Sequence, residues 1–331
     1  MSKLNPNDFY NYLESKGINF FTGVPDSLLK EINNVILLKS DKKNHIITAN
    51  EGSAIAVATG YHIATKQIPL VYLQNSGTGN IINPLMSLAS KDVYSIPMLI
   101  VIGWRGQPGV KDEPQHIAQG KCMIDLIKSL DVTYDILPTS ENEANKVIDK
   151  SIQIIKEESR PHILLVKKNT FEKHSEKVSI ENNYPIYRKE AVEKLIKFFN
   201  KDIILSTTGK ISRELLESAD EIGMSHDNIF LNVGAMGHVS MISLGIALNT
   251  SKKVAIISGG SSDLAVTLET QLALEIYGVN CQSFIDVGVA GLHRLMSQLE
   301  EINKYDVLIV CAGMEGALAT VVGGLLAQPI I

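Results

Sequence analysis

Short apolar runs alternate with amphipathic stretches from one end of the chain to the other. Uninterrupted apolar runs suit strands buried on both faces of a sheet, and the amphipathic stretches between them suit helices that cover those faces. The pattern predicts an α/β protein with two parallel-sheet, three-layer domains. Strands are expected over 18–22, 45–49, 69–74, 93–103, 132–136, 162–167, 202–206, 229–232 and 253–258, with helices over 122–130, 141–158 and 189–200. Asn5 and Pro6 read as the cap and first residue of an opening helix. Residues 169–187 are polar, irregular and charged with both signs. The expected division is therefore a domain over 1–170, a linker over 171–187 and a domain over 188–331. No short-period repeat or low-complexity segment interrupts it.

The 331 residues are 45% hydrophobic and 20% charged, enough for two full cores. A net charge of −5, with lysines spread along the chain, gives no basic stripe for nucleic acid. No apolar run approaches a bilayer span, and Met1–Asp8 is polar, without the apolar centre of a signal peptide. Cys122, Cys281 and Cys311 lie far apart and suggest neither a disulfide framework nor a zinc site. A cytoplasmic, reducing setting is the expectation, with neither nucleic acid nor membrane as partner.

Candidate chemistry gathers where strands run into helices, the place where parallel sheets bind ligands. Glu51 opens a helix rich in alanine and apolar on every face, which is expected to be buried. A carboxylate at such a helix start is favoured by free N–H groups, and is costly there unless paired or used. A simple first-turn acid is the bland alternative. Asp26 lies in the turn Gly23-Val24-Pro25-Asp26-Ser27, again either a helix-start acid or a group facing substrate. Asn75-Ser76-Gly77 follows a strand with glycines that let backbone approach a ligand. The segment Trp104–His116 carries the only tryptophan, two cations and a histidine on a Gly/Pro-shaped loop. Arg105, Lys111 and His116 suit an anionic substrate, and His116 suits acid–base work. The alternative is a solvated loop whose charges pair with Asp112 and Glu113. In the second domain, Thr207-Thr208-Gly209 enters a helix and offers N–H groups to phosphate. Met236, beside Gly237, is either helix core or a ligand contact.

Several of these strings together resemble the thiamine diphosphate-dependent decarboxylases, and within them the phosphonopyruvate and sulfopyruvate decarboxylases. They are the Asn50–Tyr61 stretch, Gly-Val-Pro-Asp-Ser, Gln-Asn-Ser-Gly-x-Gly-Asn-x-x-Asn-Pro and Trp-Arg-Gly-x-Pro-Gly-x-x-Asp-Glu-Pro-Gln-His. The resemblance implies that Glu51 hydrogen-bonds the cofactor's aminopyrimidine and promotes the tautomer that deprotonates the thiazolium C2. It places His116, with Gln119, near the pyrimidine or the substrate, and gives Asp26, Arg105 and Lys111 to the substrate. Asn75, Ser76 and Gly77 would approach the cofactor, Thr207, Thr208 and Gly209 its diphosphate, and Met236 with Gly237 its bend. It also implies a homo-oligomer, a dimer or higher, in which the pyrimidine domain of one subunit meets the diphosphate domain of another.

The resemblance breaks at the metal. The family's Gly-Asp-Gly, whose Asp is a hard ligand for Mg²⁺, is replaced by Gly259-Gly260-Ser261, and Asp263 is a displaced candidate. From about Val254 the strings Ser258–Leu264, Asp286–Leu295 and Cys311–Leu318 resemble the carboxylase-like core of the nickel-pincer cofactor biosynthesis enzymes. That match is expected to be truncated at Ile331. The chain then reads as a fusion within one α/β domain. The expected function is decarboxylation of a 2-oxoacid, phosphonopyruvate to phosphonoacetaldehyde and CO₂, impaired by loss of the metal ligand. Alternatives are a catalytically silent scaffold, or a nucleotide-binding carboxylase-type site built from Ser262, Asp263 and His293.

Overall fold

The computed structural model describes residues 3–176, 186–199, 201–247, 249, 254–257, 282–284, 292–305, 308–310, 318, 322, 325 and 326. It divides into two compact units, Met1–Ile180 and Glu181–Ile331.

The first unit is a six-stranded sheet in the order β2-β1-β3-β4-β6-β5, parallel throughout. Its strands are β1 (Phe21–Gly23), β2 (His45–Ile47), β3 (Leu70–Gln74), β4 (Leu99–Gly103), β5 (Thr133–Ile136) and β6 (His162–Val166). Its helices are α1 (Pro6–Ser15), α2 (Lys30–Lys39), α3 (Glu51–Thr65), α4 (Thr78–Pro84), α5 (Pro114–Ser129) and α6 (Glu141–Glu158). Side chains alternate across the central strands. Tyr72, Val101 and Leu164 face one core with α1, α2 and α6, while Val71, Ile100 and Ile163 face another with α3, α4 and α5. Every residue of β4 and β6 is buried, as a strand covered on both faces requires. Asn5 caps α1 by accepting from the Asn7 N–H at 2.8 Å, with Pro6 in the first turn. Leu4 pairs with Phe171, which is buried in the first core.

Three expectations are corrected by this arrangement. The 45–49 run is not a buried strand but the edge strand β2, with Ile46 and Ile47 38% and 52% exposed. Helix α3 covers only one face of the sheet, so it buries Glu51, Ala54, Ile55, Ala58 and Thr59 and leaves Ser53, Ala56, Gly60 and Ile63 open. Its outward side chains are mostly small, so little apolar area stays in water and solvent exposure costs little. The 93–103 run holds a strand only from Leu99, because Ser95 takes a left-handed φ of 50° and Pro97 follows.

The second unit carries β7 (Ile203–Ser206), β8 (Ile229–Leu231) and β9 (Val254–Ile257) as a parallel sheet in the order β8-β7-β9. Helices α7 (Arg188–Phe198) and α8 (Lys210–Glu221) pack on it through Val192, Ile196, Ile211 and Leu215, and α9 (Val239–Ala247) leads into β9. A further helix, Leu292–Ile302, buries Leu295 and Ile302 with Leu308 and Val322. No described helix is long and apolar enough to cross a membrane.

Candidate active site

In the first unit β1 lies between β2 and β3. The connection that leaves β1 through α2 runs over one face, and the one that leaves β3 through α4 over the other. The two depart in opposite directions, which leaves a crevice at the carboxyl ends of β1 and β3, the usual ligand position in such sheets. The polar residues singled out in the first unit gather around those ends and the neighbouring end of β4.

Asp26, just past β1, is 5% exposed. Its Oδ2 accepts from the Leu28 and Leu29 N–H groups at 2.8 and 3.2 Å, and its Oδ1 from the Gln74 amide at 2.5 Å. Ser76 Oγ donates to Gln74 Oε1 at 2.7 Å, which extends the chain to an exposed hydroxyl. Burial raises the Asp26 pKa, and these donors and Arg105 pull it back. Gly103 is required beside it, since a Cβ there would stand 2.1 Å from Asp26 Oδ2. Both carboxylate oxygens thus have protein donors, which makes Asp26 an organiser of the β1 turn in this structure.

Glu51 opens α3 behind its cap, Asn50, whose side chain accepts from the Ser53 N–H at 2.9 Å. The Glu51 side chain is buried, and its Oε2 accepts from the Asn80 amide at 2.7 Å. Among the described residues no donor reaches Oε1. A Cβ on Gly77 would lie 2.1 Å from Oε1, so the glycine makes room for the carboxylate. Asn75 is buried and spans to the next strand end. Its amide donates to Arg105 O and its carbonyl accepts from Arg105 N, both at 2.9 Å.

Arg105 is held on two sides. Its Nε donates to Asp112 Oδ2 at 2.8 Å and its Nη2 to Oδ1 at 2.5 Å, while Nη1 donates to Ser27 Oγ at 2.7 Å. Asp112 also accepts from the Gly106 and Glu113 N–H groups, both at 2.8 Å. Arg105 holds the Asp112 carboxyl well below the usual carboxylate range. The pairing of a loop cation with Asp112 is therefore present for Arg105. It does not hold for Lys111, whose ammonium has no carboxylate partner among the described residues. Lys111 lines a cavity of about 500 Å³ with Gly106–Asp112, Ile117 and Lys121.

The loop ends earlier than its sequence suggests. Pro114 is the first residue of α5, so His116 sits in that helix's first turn. Proline at a helix start is a legible signal that the longer loop reading passed over. His116 Nδ1 is buried with no hydrogen-bond partner, and burial, then Arg105, lowers the ring's pKa. A neutral imidazole with a free nitrogen can accept a proton. Trp104 Nε1 donates to Gly120 O at 2.8 Å, and Gly106, at φ 67°, packs where a Cβ would strike His116 O. Asn80, Gln74 and Ser27 went unremarked as partners in the sequence. The helical offset of Asn80 from Gly77 is the one signal that pointed to it.

In the second unit, β7 likewise lies between β8 and β9, and the turns after β7 and β8 stand at their carboxyl ends. Thr207 is buried, and its carbonyl accepts from Ser212 Oγ at 2.7 Å. Thr208 Oγ1 donates to Val233 O at 2.9 Å. Gly209, at φ 109°, precedes α8 with open space around it. Met236 is 64% exposed on a turn with Gly237 at φ 88°, so it is no part of a helix core. Ser262 and Asp263 lie outside the described residues, as does the side chain of His293. Among the described residues no three His, Cys, Asp or Glu side chains gather as a metal site would need.

Two features suit a thiamine cofactor. The buried Glu51 keeps one oxygen without a protein donor, which fits an aminopyrimidine nitrogen, and the uncrowded Gly209 turn at a helix start fits a phosphate oxygen. Comparison with known proteins agrees with that chemistry. Residues 7–128 match the family described as thiamine pyrophosphate enzyme, N-terminal TPP binding domain, and the chain belongs to the thiamine diphosphate-dependent decarboxylases. Its relatives among them include phosphonopyruvate and sulfopyruvate decarboxylases. A phosphonopyruvate decarboxylase of Streptomyces viridochromogenes is 31% identical over 269 residues, covering 76% of this chain and 65% of that protein. The alpha subunit of sulfopyruvate decarboxylase from Methanocaldococcus jannaschii is 32% identical over 160 residues, 47% of this chain and 89% of that subunit. An uncharacterized protein of Methanocaldococcus jannaschii is 44% identical over 81 residues, 24% of this chain and 32% of its own length. The chain thus spans just under two thirds of the phosphonopyruvate decarboxylase it matches.

Proposed function

We propose that the chain descends from a phosphonopyruvate decarboxylase and keeps the pyrimidine-side half of its active site, with turnover limited by its diphosphate side. The buried Glu51 carboxylate, held by Asn80 on one oxygen and open on the other, carries this reading. Glu51 would contact the aminopyrimidine and exchange its proton. Lys111 and Arg105 would receive the phosphonate tail. His116, neutral and with an unpaired buried nitrogen, would take or give the proton that accompanies product release. Bound thiamine diphosphate would supply the electron sink for loss of CO₂. Thr207, Thr208, Gly209, Met236 and Gly237 would meet its other end.

The limitation follows from the metal. A diphosphate in such a site is neutralised by Mg²⁺ on hard oxygen ligands, and Gly260 stands where the family places an Asp. Sulfopyruvate is the alternative substrate, since the same cations meet a sulfonate. A dimer or larger assembly would let the pyrimidine half of one chain meet the diphosphate half of another. A composite origin rests on the strings after Val254, which resemble a different family from those before it.

Calorimetric titration with thiamine diphosphate, with and without Mg²⁺, tests this, together with CO₂ release from phosphonopyruvate. The expected result is weak binding with little response to Mg²⁺, and slow release. Micromolar, Mg²⁺-dependent binding with rapid release would overturn the limitation, and complete absence of binding would overturn the decarboxylase reading.

A further inference from the structure

We infer that Asp112 and Ser27 hold Arg105 as an end-on fork for the acid group of an anionic ligand, and that both are positioning residues of this site. The inference rests on the decarboxylase reading for the identity of the ligand, but its geometry stands alone. A guanidinium has five N–H groups in one plane. Here Nε and one N–H of Nη2 go to Asp112, and one N–H of Nη1 goes to Ser27. One N–H on each Nη nitrogen is left. The backbone of Arg105 is fixed as well, through the two hydrogen bonds with Asn75. The side chain is 17% exposed, and its contact with Ser27 is the exposed one while those with Asp112 are half-buried. Two N–H groups from one rigid plane suit two oxygens of a phosphonate, sulfonate or carboxylate.

Charge and direction are divided between residues. Asp112 offsets the charge of Arg105, and Asp26 lies close enough to act on it as well. The fork therefore supplies direction, while Lys111, whose ammonium has no carboxylate partner among the described residues, supplies net positive charge on the adjoining cavity wall. Such an arrangement favours a ligand with two oxygens on its acid group and leaves the choice between monoanion and dianion to the lysine.

The test uses the full chain and phosphonoacetate, an unreactive phosphonate, with affinity measured by calorimetry in the absence of cofactor. Arg105→Lys should weaken binding roughly 30–100-fold, because an ammonium cannot offer a planar pair of donors. Asp112→Asn should weaken it about 10-fold and Ser27→Ala about 3–10-fold, by releasing the guanidinium from its orientation. In turnover with phosphonopyruvate, Ser27→Ala should raise KM with kcat unchanged. Ser27 sits on an exposed hydroxyl contact, so its variant carries the test if Asp112→Asn does not fold. Tighter binding in Asp112→Asn would show that Asp112 competes with the ligand, and would overturn the inference. Unchanged binding in Ser27→Ala and Arg105→Lys would overturn it as well. Anion binding that follows the expected order in a chain that neither binds thiamine diphosphate nor releases CO₂ would keep the fork and discard the decarboxylase reading.

Discussion

The two units begin with the same strand order and differ in what they place at the strand ends. In each, the first strand of the sheet lies between the second and the third: β2-β1-β3 in the first unit and β8-β7-β9 in the second. The first unit extends this to six strands with a core on either face, and sets three buried polar side chains at the crevice rim, each held by a less buried partner: Asp26 by the Gln74 amide, Glu51 by the Asn80 amide, Asn75 by the Arg105 backbone. The described rim of the second unit has fewer such contacts, with Thr208 bonded to Val233 O, Gly209 in open space and the buried Asn232 amide nitrogen without a partner. Topology alone thus makes a place for a ligand, and side-chain networks decide how narrowly that place is specified.

The largest expected effect separates the units by their cores. Ile100 in β4 and Ile204 in β7 are both fully buried, and Ile100→Ala and Ile204→Ala should each cost about 2–5 kcal/mol. If the units unfold independently, urea titration will show each substitution lowering one transition and sparing the other. A single shared transition in both variants would show that the units are one cooperative body.

Next is the response to acid. His162 opens β6 and is completely buried, with Thr133 Oγ1 2.8 Å from its Nδ1 and Asp135 Oδ2 3.3 Å from its Nε2. Burial lowers its pKa to about 4, against the opposing pull of Asp135 and with help from Lys150 and Arg160. The folded chain therefore keeps this ring neutral where the unfolded chain protonates it, near pH 6.5. Stability from this group is present in full above pH 6.5 and is lost as pH falls from there to about 4, by roughly 3 kcal/mol. The described histidines of the second unit, His226 and His238, are exposed. The acid-labile transition should accordingly be the one that Ile100→Ala shifts, and in His162→Gln its loss of stability between pH 7 and pH 4.5 should shrink.

The smallest effect contrasts two glycines. Gly77→Ala would set a Cβ 2.1 Å from Glu51 Oε1, so the carboxylate must move, at about 1–3 kcal/mol and with loss of any affinity that depends on its position. Gly209→Ala meets nothing within 4 Å but must hold φ at 109°, a strain of about 1–2 kcal/mol. Unfolding measurements with thiamine diphosphate present and absent read both effects. Each variant should lose ligand stabilisation along with stability, Gly77→Ala through the displaced Glu51 carboxylate and Gly209→Ala through the turn proposed for the diphosphate.

The α/β class was legible because period and run length report burial on both faces, as β4 and β6 show. Exposure was harder to read. The 45–49 run looks the same in sequence whether a strand ends a sheet or sits inside one, since only the partner strands decide it. Helix α3 misled for a related reason: alanine and glycine are compatible with either side of a helix, so its outward face gave no polar signal. At the site, Asp26, Glu51 and Arg105 were visible as residue types in informative strings. Their partners Asn80, Ser27 and Gln74 were not, because hydrogen bonds between residues 29 to 78 positions apart leave no local trace.

The edge strand β2 carries a consequence for the protein at high concentration. Among the described residues no strand lies beyond its outer side, and Ile46 and Ile47 are partly open to water. An open, apolar edge is a template on which another chain can add a strand. Lys42 and Lys43 stand just before it, and β2 is only three residues long. Brevity and nearby like charges both discourage such growth. These two lysines act as gatekeepers against self-association, so neutralising them should make the protein less soluble with its folded structure left unchanged.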